Sequence, residues 1–164
     1  MIATLSPTER HERALRAKQD ITQGIASTSD RIDTITSYLG EYERRKAEGE
    51  AALAELTTSL KKIEPQIIEA RARQRLYFGT PDEDQWTNRL NALQREQDNI
   101  KAVLDQVQEQ QRDLEDEISA NYQSLADERA DLITHRASLQ QERAVVLTEE
   151  REATIAMAQA DMSQ

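Results

Sequence analysis

The chain has 164 residues, of which 37% are hydrophobic, 32% charged and 4% aromatic. This balance suits long exposed helices and gives a compact enzyme domain too little apolar material, so we expect no enzymatic activity. A formal charge of -10 opposes binding to nucleic acid or to anionic membrane surfaces, and the absence of cysteine excludes disulfides and cysteine-ligated zinc.

The first helix is predicted from its cap and its apolar period. Residues 1–6 form a lead, and Ser6, Pro7 and Glu9 have the spacing of a capping box that starts a helix at residue 7. From Ile25 to Tyr77, seam positions recur at alternating spacings of three and four residues, the pattern of a coiled-coil seam. Because the pattern continues without a phase shift, we expect one bent helix over 7–78, with kinks expected at Gly40 and Pro65 and a break at either as the alternative.

Gly79 and Thr80 indicate a tight turn after this helix. Glycine readily takes the left-handed conformation that ends a helix. Residues 80–83 repeat the cap of residues 6–9, with a hydroxyl residue followed by proline and, three residues on, by glutamate. We therefore expect a turn at 79–80, a second helix over 81–158 and a C-terminal tail over 159–164. A link this short makes the two helices antiparallel neighbours.

The apolar seam restarts at Trp86 and continues to Val146. The predicted fold class is therefore all-α, a long two-helix antiparallel coiled-coil hairpin in which residue i faces roughly residue 163 minus i. Charge supports this register, since it sets the basic residues 44–46 near the acidic residues 115–117. It also sets Arg10 and Arg13 near the acids of segment 149–152.

The sequence offers little candidate chemistry. Asp82, Glu83 and Asp84 resemble the metal-holding tip of transcript-cleavage factors, but acids in the first turn of a helix are explained by the helix dipole. The only histidines, His11 and His135, would lie about 25 Å apart along the hairpin, which is too far to share a metal. We expect no catalytic residue, cofactor or metal.

Apolar residues beyond the seam mark candidate contact surfaces at both ends of the predicted hairpin. The aromatic residues at the loop either plug the end of the coiled coil or dock a partner, and Arg71, Arg73, Arg75, Arg89 and Arg95 surround them. Residues 104–164 carry a net charge of -9, which a basic partner could use. The partner-binding candidates are Leu5, Leu15, Val145, Leu147 and Ile155 at the open end and Tyr77, Phe78 and Trp86 at the loop.

These features predict a non-enzymatic structural or interaction protein, a rigid strut or docking arm in a larger assembly such as a phage virion or secretion machine. The hairpin is similar in outline to the two-helix stalk proteins of flagellar and type III secretion ATPases, a likeness that implies no residue roles. The alternative is an acidic regulator that binds a channel or basic groove of a polymerase, nuclease or ATPase.

The expected partners are proteins, including further copies of the chain joined through the open end, and neither nucleic acid nor membrane. No signal peptide or apolar stretch of about 20 residues occurs in the sequence, so we expect a cytoplasmic or virion location.

Overall fold

The computed structural model describes residues 4–163 and contains two helices, α1 (Pro7–Leu76) and α2 (Glu83–Met162). They pack against each other as a hairpin, which confirms the predicted all-α fold. Over the described range, neither helix combines the length and apolarity needed to cross a membrane. Contacts divide the chain into an open-end unit, formed by residues up to Leu39 and from Tyr122 onward, and a loop-end unit, Gly40–Asn121.

Helix α1 starts at the predicted capping box and continues along the predicted seam. At the start of α1, the backbone N–H of Glu9 donates to Ser6 Oγ and the N–H of Ser6 donates to the Glu9 carboxylate, both at 3.2 Å. This is the reciprocal pair of a capping box. α1 is then one continuous helix through Gly40 and Pro65, as preferred from the uninterrupted seam period.

The connection between the helices is longer than predicted, because α1 ends at Leu76 instead of 78 and α2 begins at Glu83 instead of 81. Gly79 has the expected positive φ, 76°. The Thr80 hydroxyl donates to the Tyr77 carbonyl at 2.6 Å, while Glu83 accepts the N–H of Gly79 at 3.0 Å. These bonds hold residues 77–82 as successive turns. At the other end, α2 continues to Met162 through the predicted tail.

The core of the loop-end unit lies on the predicted seam. Five buried residues form one cluster, and Leu60, Trp86 and Ile100 pack against it. The cluster consists of Ile63, Ile67, Ala70, Leu90 and Leu93. Burial of this seam, more than the intrinsic preference of the residues for helix, is what stabilises helices of this kind in water.

The open-end unit is buried along the same seam. Ile32, Ile35 and Leu39 of α1 are its buried large side chains, and Val146 lies buried on α2. Thr28, the buried polar residue of the seam, donates its hydroxyl to the Gly24 carbonyl at 2.7 Å, so its burial leaves no donor without a partner. The seam therefore accepts a polar residue where the helix backbone itself supplies the hydrogen bond.

Ion pairs within each unit show that the helices run antiparallel. In the open-end unit, Lys18 pairs with Glu150 at 3.3 Å and Arg31 with Glu128 at 2.9 Å. Residues later in α1 therefore pair with residues earlier in α2, as in antiparallel helices. In the loop-end unit, Arg45 pairs with Glu117 at 3.4 Å, as the predicted register requires.

Of the predicted charge matches, Arg44 bonds within its own helix, and the pairs of Arg10 and Arg13 are not formed in the part of the chain that the structure describes. Arg44 bonds to Glu41 and Glu48 of its own helix, because residues three and four positions apart are neighbours on a helix face. These bonds raise the pKa of Arg44. Arg10 and Arg13 line a groove with Glu149 and Glu152, but within residues 4–163 none of them forms an ion pair.

A glycine notch receives a polar side chain in the loop-end unit. A Cβ atom at Gly49 would overlap the amide end of Gln111, which reaches across from α2. From this position Gln111 Nε2 donates to the carbonyl of Lys46 at 3.3 Å. Gly49 thus makes room for a bond between the helices at a seam position where no large apolar residue is present.

We expect the pair of Arg31 and Glu128 to be visible in the titration of Glu128. The hydrogen bond from Arg31 lowers the pKa of Glu128, and the attraction between the charges acts in the same direction. The pair should therefore stabilise the fold above the ordinary pKa of glutamate, and this contribution should be lost as pH falls through the lowered pKa. Carboxyl NMR should show the Glu128 pKa rising in Arg31→Gln and unchanged in Arg143→Gln; no difference between the two variants would contradict the assignment.

Substitution of Gly40 and of Gly49 by alanine should distinguish the effect of helix propensity on stability from the effect of filling the glycine notch at Gly49. Gly40→Ala should raise the free energy of unfolding by up to about 1 kcal/mol, because a Cβ there meets nothing within 4 Å. Gly49→Ala has the same gain in propensity but displaces Gln111 and its hydrogen bond, worth about 1 kcal/mol, so little net change is expected. Urea unfolding measures both. In a Gln111→Ala background Gly49→Ala should stabilise; equal gains from the two single variants would exclude the notch.

Candidate contact surfaces

The described residues offer surfaces for contact and no metal-binding cluster. Over residues 4–163, no group of three or more histidine or acidic side chains is placed to hold a metal ion. The acidic residues at the start of α2 instead act locally, with Glu83 accepting the Gly79 N–H and Glu83 and Asp84 in the first helical turn. The candidate contact surfaces are formed by exposed apolar side chains.

The predicted open-end candidates are exposed to different degrees. Val145 and Ile155 are more than half exposed, at 58% and 53%, whereas Leu5 and Leu15 are near one third. Leu147 is half-buried, and its neighbour Val146 is buried on the seam. Of the five open-end candidates, Val145 and Ile155 on α2 are thus the strongly exposed ones, and the α1 candidates contribute less.

The three aromatic candidates at the loop have different environments. Trp86 is half-buried against the loop-end core, and the guanidinium carbon of Arg73 lies 4.9 Å from its ring centroid, a cation–π contact. Tyr77 is half-buried as well. Phe78 is 78% exposed, so it covers none of the core. Trp86 closes the end of the seam, while Phe78 is presented to solvent.

Two strongly exposed apolar residues near the loop are not among the candidates predicted from the sequence. Ile68 is 63% exposed and Leu76 is 74% exposed, and both lie on α1 away from its seam. Their spacing of eight residues, with Ala72 midway, is a helical spacing that could have indicated a second apolar stripe. We define the loop-end surface as Ile68, Ala72, Leu76 and Phe78.

The five predicted arginines around the loop do not form one site. Arg73 pairs with Glu69 at 3.2 Å and stacks on Trp86, and Arg89 donates to Gln66 at 3.3 Å. Arg71 and Arg75 are exposed and are three and seven residues from Ile68, which places them on the helix face of the loop-end surface. Two of the five arginines therefore border the apolar residues.

Exposed apolar residues also occur outside the two sets of candidates. Tyr38 and Ile133 are exposed in the open-end unit and Val103 in the loop-end unit, and Met162 near the end of α2 is 87% exposed. Each is separated by many residues from the next along its helix. Single exposed apolar residues are common on protein surfaces, whereas the loop-end surface concentrates several in eleven residues of chain.

Comparison with known proteins found no relative of the chain. No family model matches it, and neither a curated protein nor a solved structure matches it.

Proposed function

We propose that the chain is a non-enzymatic structural or interaction protein, a helical-hairpin arm that docks into a larger assembly, of the kind found in phage virions or secretion machines, through its loop-end surface. The support is the exposure of Ile68, Leu76 and Phe78 beside a seam whose own apolar residues are buried or half-buried. Covering a large apolar side chain is worth about 1.5–3 kcal/mol, so three of them offer a partner a substantial gain.

The loop-end surface supports docking better than the open-end candidates do. It combines three side chains that are each more than 60% exposed within eleven residues of chain. At the open end, by contrast, Val145 and Ile155 are ten residues apart and Leu147 is half-buried. Energetic hot spots of interfaces are compact groups of large side chains, which matches the first arrangement.

The acidic stretch supports a second candidate function. Residues 104–164 contain 14 acidic and five basic residues, so a regulator that binds a basic groove would make its contacts along α2. Its contacts would be charged and would weaken with salt. The two functions therefore predict different contact positions on the same helices.

A photo-crosslinking amino acid placed at position 78 or at position 109 should discriminate between the two functions in cells of the native source. Phe78 belongs to the loop-end surface and Glu109 is an exposed acid of the acidic stretch. We expect discrete adducts from position 78 that are lost with Leu76→Ser, and few adducts from position 109.

Circular dichroism of each purified variant is the control that the helices remain intact. Adducts from position 109 in the absence of adducts from position 78 would favour the regulator. Equal adducts from both positions would mean that contacts run along the whole arm, and docking through the loop-end surface would be wrong.

A further inference from the structure

The exposed face of α1 beside the connection carries two parallel rows of side chains. Ile68, Ala72 and Leu76, each four residues from the next, form an apolar row. Arg71 and Arg75 form an arginine row beside it at the same spacing. All five residues are exposed, whereas the buried α1 residues of the loop-end core occupy a different side of the helix. Helices pack through rows of residues four apart, so this face has the pattern of a second packing surface.

The two arginines of this face have no acidic partner within the hairpin. Over residues 4–163, neither Arg71 nor Arg75 forms an ion pair. Arg73, which lies between them in sequence, behaves differently, because it pairs with Glu69 at 3.2 Å and stacks on Trp86. The guanidinium groups of the arginine row are therefore available to carboxylates of another molecule.

The other charges on this face leave it basic. The face continues toward the middle of α1 through Glu64 and Lys61, which are four and seven residues before Ile68 and are both exposed. Together with Arg71 and Arg75 they make three basic residues and one acidic residue, a formal charge of +2 on a chain whose total is -10. Because Glu64 is two helical turns from Arg71, the part of the face that attracts acids is the part beside the connection.

We propose that this face binds an amphipathic helix of a partner protein, in which acidic residues flank a row of apolar ones. This inference rests on the proposed docking function and specifies the chemistry of its partner. The apolar side chains of the partner cover Ile68, Ala72 and Leu76, and its carboxylates lie opposite Arg71 and Arg75. Arginine binds a carboxylate through two parallel N–H···O bonds, so the acidic residues fix the register of the partner helix.

Charge favours an acidic helix over other ligands of a basic and apolar face. Anionic membranes attract clusters of about four to eight basic residues, whereas this face has three beside one acid. Nucleic acid is repelled by the total charge of -10. A second copy docked symmetrically on this face would bring the unpaired arginines of both copies into one interface. An acidic amphipathic helix meets both the apolar row and the arginine row favourably.

The experiment uses the photo-crosslinking amino acid at position 78 of the full chain, in cells of the native source. Arg71→Glu with Arg75→Glu should reduce the adduct at least about tenfold, because acidic residues then face acidic residues. The matched control is Arg143→Glu with Arg151→Glu, two exposed arginines on α2 of the open-end unit. Both variants change the formal charge from -10 to -14, and the control should leave the adduct unchanged.

An exchange of charges tests the partner itself. Mass spectrometry of the adduct identifies the crosslinked segment of the partner, which should carry acidic residues three or four positions apart beside apolar ones. Replacing the two acids nearest the crosslink by arginine should abolish the adduct with the natural chain. The same replacement should restore the adduct with the variant Arg71→Glu, Arg75→Glu.

Circular dichroism of the purified variants is the folding control, because acidic residues are unfavourable in the last turns of a helix. If the two glutamates loosen the end of α1, Arg71→Gln with Arg75→Gln removes the charges without adding acids. This variant should still reduce the adduct at least about threefold.

Three results would overturn this inference and leave the docking function standing. They are a protein adduct that survives both arginine changes or is lost equally in the control, a crosslinked segment without acidic residues, and an exchange of charges that restores nothing. Adducts from position 78 to lipid or nucleic acid alone, or no adducts at all, would remove the docking function itself.

Discussion

The structure depends on burying a narrow apolar seam that repeats every 3.5 residues. A helix with such a seam must cover it with another helix, and here the second helix of the same chain does so. In the loop-end unit this places Ile67 and Leu93 in the core. In the open-end unit it places Ile35, which is completely buried, in the core of that unit. Ion pairs such as Arg45 with Glu117 lie beside the seam, half exposed, and contribute mainly to register and orientation.

The seam also determines which residues are left for contacts with other molecules. Two helices bury one stripe each, so apolar residues on any other stripe remain exposed. Ile68 and Leu76 are in this position, and Phe78 follows in the connection, where no helix can cover it. Their exposure is a consequence of the two-helix architecture, and it gives the proposed docking function its physical basis.

The sequence predicts the fold well because the dominant interaction is periodic. Of the buried residues, all but Ala14 and Ala153 lie on the seam read from the sequence, and those two extend it toward the termini. The capping box at Ser6 and the positive φ of Gly79 follow from local chemistry and are confirmed. These features depend on neighbours in sequence or on a strict repeat, which a single sequence displays.

The remaining differences come from competition between alternative partners. Thr80 was expected to cap α2, but its hydroxyl donates to the Tyr77 carbonyl, and α2 begins at Glu83. Arg44 could reach α2 but bonds to glutamates of its own helix. At the candidate site, Trp86 packs against the core as its seam position predicts. Ile68 and Leu76 lie off the seam and are exposed, and the seam period alone does not single them out as a contact surface.

The central claim, that the seam is covered within one chain, is tested most directly by a distance between the two helices. The sequence has no cysteine, so Arg45→Cys with Glu117→Cys allows two spin labels to be placed at these positions alone. Packed helices lie about 8–10 Å apart, so pulsed electron paramagnetic resonance should give a label separation within roughly 20 Å that persists when the labelled chain is diluted with unlabelled chain. A much longer separation, or a short one that disappears on dilution, would show that the helices do not pack within one chain and would contradict the account.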